Sequence, residues 1–172
     1  CQTVYVGTTM TFAGYLEKHC GIVYKENGRP ADPFISIAEH GANTVRFCID
    51  LPPYSSSYSR GEIIDYASVE NIRIAMQRAK EAGLKTILTL SYRSFALEDS
   101  QRLNDYVAPL AWQSIASDLV KITDSVYNYS YRILDDYCSK GLIPEIVAIG
   151  GESVWRRLEP NVPEDQLPAY DP

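Results

Sequence analysis

Histidine is scarce in this chain. Only His19 and His40 occur, each far from any cysteine pair or carboxylate cluster at ligand spacing, so neither a metal centre nor a cofactor is expected. Positive charge is the minority, with 16 Lys and Arg against 22 Asp and Glu, a formal net charge of -6 and a pI near 4.9. No Lys/Arg cluster is dense enough to neutralise a row of phosphates, which argues against a nucleic-acid partner. A glycine-rich phosphate loop is also missing: VYVGTTMTFAG is not GxGxxG and no GxxxxGK[ST] occurs, so nucleotide binding is not expected. No apolar run approaches the length of a membrane helix, and no basic-then-apolar leader is present.

What is there is ordinary for one globular domain. The 172 residues are 45% hydrophobic and 22% charged, enough to bury a substantial core. The four cysteines, Cys1, Cys20, Cys48 and Cys138, suggest disulfides if the chain is secreted, although spacing does not give their connectivity and Cys48 also suits a buried thiol. The opening on Cys1 has three readings: a processed signal and secretion, a lipid-anchored terminus, or a preparative cut. Asn128-Tyr129-Ser130 is a glycosylation sequon.

Taken in order, the chain alternates. Val4 to Gly7 reads as a short strand, followed by a long glycine-interrupted loop with one helical turn at Tyr15 to His19. Pro30 precedes a helical stripe of Phe34, Ile35, Ile37 and Ala38 that Gly41 stops. Thr44 to Ile49 is a second strand, apolar enough for burial on both faces. A proline- and serine-rich loop follows from Leu51 to Glu62, then an amphipathic helix over Tyr66 to Ala82 closed by Gly83. Leu84 to Leu90 is the third strand, Ser91 to Pro109 another loop, and Trp112 to Lys140 a helix ended by Gly141. Ile146 to Ile149 is the fourth strand, emptying through Gly150 and Gly151 onto Glu152. Residues 158–172, with four prolines and no period, read as an extended arm beyond a domain of residues 1–157.

Strands alternating with helical crossovers demand a parallel sheet. Long loops fall after strands and short turns after helices, the asymmetry of a (β/α) barrel, whose ligands collect at the carboxyl ends of the strands. Glu152 at such an exit is therefore a candidate acid or base, and Asp50, leaving the second strand on the same side, is a second carboxylate to consider. Arg46, Asp50, Tyr92 and Trp155, on or beside the same exits, are the candidates for contacting a ligand there.

Several blocks, in register over about the first 160 positions, resemble the amino-terminal half of the family 53 glycoside hydrolases, the endo-β-1,4-galactanases. VYVGTTM looks like the first strand, YKENGRPADP like the hairpin before the first helix, HGANTVRFCI like the second strand, AMQRAKEAGLKTILTLSY like the following helix and third strand, and GLIPEIVAIGGE like the fourth strand with its catalytic glutamate. The resemblance implies an α/β fold, half of a (β/α)8 TIM barrel with four parallel strands and three crossover helices. It places the acid/base on Glu152. It also implies that the nucleophile, taken in the family from the seventh strand, is not carried here.

Departures from the family pattern point to a degenerate site. Gly151 stands where an asparagine would contact the sugar, Thr9 where an aspartate would end the first strand, and Ser91 where a histidine would end the third. Ser94 and Ala96 replace an aspartate and a tryptophan, Cys48 an arginine and Asp50 a tryptophan. The expectation is a catalytically degenerate, extracellular glycosidase-like domain with a structural or glycan-associated role. The alternative is an active retaining endo-β-1,4-galactanase whose second half lies elsewhere. Half a barrel leaves open sheet edges, so self-association or a second chain completing the barrel is expected, with β-galactan or another glycan as ligand.

Overall fold

The computed structural model describes residues 4–51, 66–92, 110–115 and 118–150. In chain order the elements are β1 (Gly7–Thr9), α1 (Ala13–Cys20), a hairpin of β2 (Lys25–Glu26) and β3 (Arg29–Pro30), α2 (Pro33–Glu39), β4 (Thr44–Ile49), α3 (Val69–Glu81), β5 (Lys85–Leu90), a 3₁₀ turn (Leu110–Ile115), α4 (Leu119–Ser139) and β6 (Ile146–Ile149). The main sheet runs β1-β4-β5-β6, and every neighbouring pair is parallel. One row crosses all four strands at Thr9, Arg46, Ile87 and Ile146.

The alternation and the parallel sheet are as expected, with differences in detail. The first strand begins at Gly7 rather than Val4 because the backbone ahead of it is held by a side chain: Asn43 accepts from Val6 N at 2.9 Å and donates to Val4 O at 2.7 Å. At Gly7 the chain comes so close to β4 that a Cβ would lie 1.8 Å from Thr44 O, which only glycine permits. The single turn expected at Tyr15 to His19 is the two-turn helix α1. The first crossover therefore holds two helices with a hairpin between them, and the described chain has four α-helices rather than three. That hairpin turns at Asn27 (φ 49°) and Gly28 (φ 78°), the left-handed pair that matches strand twist. The helix expected from Trp112 to Lys140 is divided, because Asp118 caps a new start by accepting from Lys121 N.

The helices cover one face of the sheet. Val45, Phe47, Ile49, Leu88 and Leu90 alternate onto that face and are sealed by Phe34, Ile72, Met76 and Ala79. α4 is docked by Tyr137, fully buried, whose hydroxyl donates to Val69 O at 2.6 Å. Arg78 ties the three earlier helices together: it bonds Glu17 of α1 at 2.5 Å and Asp32, the cap of α2, at 2.7 Å, and its guanidinium lies 4.9 Å from the Phe34 ring centroid. On the other face of β4 Thr44 is buried while Arg46 and Cys48 are half-buried, so the expected burial on both faces is complete on the helix side and partial on the other. Four described strands do not enclose the face that a closed barrel would fill.

The disulfide expectation is corrected for the described cysteines. Cys20 on α1 and Cys138 on α4 are exposed, Cys48 on β4 is half-buried, and all three are free thiols. Cys1 lies outside the described residues, as does the expected arm over residues 158–172. Within α4, Asn128 of the sequon is exposed while Ser130 is buried. Among the described residues no helix is long and apolar enough to cross a membrane.

Candidate active site

The carboxyl ends of the four strands lie together because the strands are parallel and in register. Beyond β1, Met10 N donates to Arg46 O at 3.0 Å, and Thr11 Oγ1 accepts from Cys48 N at 3.0 Å, so the exit of β1 is fastened to β4. β4 delivers Asp50, 5% exposed, whose amide donates to Ala67 O at 3.0 Å. β5 delivers Ser91, buried, with its amide on Ile49 O at 2.8 Å. β6 ends at Gly150, whose amide reaches Leu90 O at 3.0 Å. The strand-exit groups of the described residues are thus Thr11, Asp50, Ser91 and Gly150.

Two of the sequence candidates belong to β4 and its exit. Arg46 projects from the face of β4 opposite the helices, and Asp50 follows directly after the strand's last residue, four positions on. Arg46 donates its Nε–H to Thr89 Oγ1 at 2.9 Å, which ties β4 to β5 below the exits. Tyr92 goes elsewhere. Its ring is 4% exposed, packed against Trp112 at 6.1 Å and Tyr129 at 6.4 Å between centroids, and its hydroxyl pairs with Ser130 Oγ at 2.6 Å. Burial pushes the Tyr92 phenol up, partly offset by the bond to Ser130. In this packing Tyr92 is a core residue joining β5 to α4 and offers no open ring face to a sugar. Glu152 and Trp155 lie outside the described residues, Glu152 two positions beyond Gly150.

Sequence reasoning missed Thr11, the residue that seals the β1 exit against β4. Its only local signal is a threonine just past a strand, which is too common to single out. Among the described residues no three His, Cys, Asp or Glu side chains group closely enough to hold a metal ion.

The model of glycosyl hydrolase family 53 matches residues 5–167, almost the whole chain. The chain belongs to glycosyl hydrolase family 53. Among its relatives are an arabinogalactan endo-β-1,4-galactanase of Cellvibrio japonicus, 26% identical over 149 residues, and a probable arabinogalactan endo-β-1,4-galactanase A of Neosartorya fischeri, 30% identical over 151. These alignments cover 87% and 85% of this chain but 36% and 38% of the relatives, so the chain spans a little over a third of their length. Two solved structures share the fold: the family 53 catalytic domain from Ignisphaera aggregans, with a TM-score of 0.70 at 23% identity, and a fungal β-1,4-galactanase, with 0.63 at 22%. They cover 90% and 85% of this chain and 41% and 39% of their own, so the four parallel strands with their helices are half of a family 53 TIM barrel.

Proposed function

We propose that this family 53 half-barrel is a catalytically degenerate, glycan-associated domain that works in an extracellular assembly, with Glu152 at the acid/base position and Trp155, Arg46 and Asp50 on the carbohydrate side. A retaining glycosidase needs two carboxyl groups about 5 to 5.5 Å apart, one as acid/base and one as nucleophile. The observation that carries the reading is the make-up of the strand exits. Among the described exit groups Asp50 is the one carboxylate, enclosed at 5% exposure in the mouth of β4, while Thr11, Ser91 and Gly150 carry no charge. An oxocarbenium-like transition state would meet little preorganised charge there. The assembly part of the reading rests on the two flanks of the sheet, and the extracellular part on the size of a galactan polymer, which does not cross membranes.

A second reading is an active galactanase in which four further strands supply the nucleophile. It is favoured by the apolar side chains at the flanks: Val4 and Val6 ahead of β1 and Ile146 and Ile149 on β6 are all exposed, as they would not be in a closed barrel. Reducing-end release from β-1,4-galactan by the protein isolated from its native source together with whatever strands complete its barrel, and by the same preparation carrying Glu152→Gln, separates the two. The degenerate reading expects no release from either. Hydrolysis by the unmodified protein that Glu152→Gln abolishes would instead establish the active reading, and mass spectrometry of the native sample would then find the strands that complete the barrel.

A further inference from the structure

A groove of about 380 Å³ lies between α1 and α3, outside the strand-exit site and close beside it. It is lined by Thr11, the residue that bonds the exit of β4, and by the Glu17–Arg78 ion pair. Two aromatic rings line it, Tyr15 and Tyr66, which meet edge-on at 6.1 Å and 71°. Each is backed by a second ring, Tyr66 by Phe12 at 4.2 Å and Tyr15 by His19, stacked at 4.7 Å. Ile74, on the α3 side of the groove, is 47% exposed, and Phe12, 50% exposed, lies just outside the lining against Tyr66.

We propose that this groove is a second glycan site, binding an uncharged β-1,4-linked hexopyranose chain. Such a sugar presents a C–H face that stacks on aromatic rings and a rim of hydroxyls that need acceptors and donors. The groove offers both: the rings of Tyr15 and Tyr66 with Phe12 alongside, and a carboxylate on Glu17 that still has acceptor capacity beyond its bonds to Arg78. Cavities of a few hundred Å³, mostly apolar with a few placed polar groups, are the usual form of small-ligand sites. Charge decides against an acidic polysaccharide. Arg78 is already matched by Glu17 and Asp32, Lys18 at the rim balances the remaining carboxylate, and the chain as a whole carries -6. A strand of polysaccharide could then run from the strand exits past Thr11 into the groove, lengthening the contact without adding chemistry.

The choice of sugar rests on the glycan-associated reading, so the test keeps the two apart. Galacto-, cello- and manno-hexaose, each β-1,4-linked, are titrated calorimetrically into the 172-residue chain and into Phe12→Ala, Ile74→Lys and Tyr127→Ala variants, with a polygalacturonate oligomer as the charged control. Phe12 and Ile74 are surface residues, so both variants should fold, which circular dichroism checks. The expected result is binding that Phe12→Ala and Ile74→Lys each weaken about fivefold or more, the size of one lost ring contact, and that Tyr127→Ala, an exposed ring on α4 away from the groove, leaves within about twofold. Binding of the cello or manno chain alone, with that sensitivity, keeps the groove and removes galactan. Galactohexaose binding that ignores Phe12→Ala and Ile74→Lys overturns the groove and keeps the glycan reading. Absence of binding by any neutral chain, or equal binding of polygalacturonate, overturns the groove outright.

Discussion

Asp32 does two jobs with one carboxylate. As the cap of α2 it accepts from Phe34 N at 2.8 Å, and as the partner of Arg78 it holds α2 against α3. Burial alone would push its carboxyl up, but the Arg78 guanidinium and the amides of Phe34 and Ile35 outweigh burial and hold it below its ordinary value of 3.8. A carboxyl depressed by folding contributes stability that is fully present above its unfolded value and is lost as pH falls through the folded one. Asp32→Asn keeps a capping oxygen and removes the charge; Asp32→Ala removes both. We expect Asp32→Asn to cost about 1 kcal/mol at pH 7, given a partly exposed pair, and Asp32→Ala about 1 kcal/mol more for the lost cap. Thermal melts from pH 7 to 2 check this: the gap between the unmodified protein and Asp32→Asn should be constant near neutrality and close below about pH 4. A gap that persists in acid would mean the Asp32 charge contributes nothing.

Among the elements, α4 carries the most tightly made contact with the site region. Ser130 Oγ donates to Val126 O at 2.6 Å, which leaves it to accept from the buried hydroxyl of Tyr92, also at 2.6 Å. Ser130→Ala would strand that hydroxyl, and we expect a loss of about 1–3 kcal/mol in urea unfolding. Tyr92→Phe in the same background should recover most of it, because no buried donor then lacks a partner. This pairing was not legible in the sequence: 38 positions separate the two residues, and nothing local marks either. Tyr92 beyond the third strand reads as an exit-loop aromatic for the same reason. The elements themselves were legible, since glycine after a helix and alternation within β4 are local signals, and Gly41, Gly83 and Gly141 do take the left-handed turns with φ of 94°, 76° and 70°. The start of β1 was not, because Asn43 holds Val4 and Val6 from 39 and 37 residues away. Nor is the role of Arg78 legible, because Glu17 and Asp32 lie 61 and 46 positions away and nothing local sets it apart from the other charges of α3.

At the scale of the whole molecule the deciding feature is that β1 and β6 end the sheet, each with a neighbour on one side only among the described residues. Unpaired strand edges recruit other strands unless something covers them. The flanking side chains here are Val4 and Val6, 67% and 53% exposed, on one side and Ile146 and Ile149, 39% and 57% exposed, on the other, and neither β1 nor β6 itself holds a lysine or proline to blunt the edge. One cluster works against opening: Tyr5 donates to Glu145 at 2.9 Å, and Lys85 bonds the same carboxylate at 2.8 Å, so the amino-terminal side of the sheet is tied from the segment before β1 across β5 to the residue before β6. These bonds hold the described half together; they do not cover its flanks. The 172-residue chain on its own should therefore sediment as a concentration-dependent assembly, and charge placed at the flanks should dissolve it. Val6→Lys and Ile149→Lys together are expected to shift the weight-average mass toward a monomer with little change in melting temperature, since both side chains are already exposed. A monodisperse monomer before any substitution would show that the flanks need no partner, and would remove the assembly from the proposed function while leaving the fold and the strand-exit site as they are.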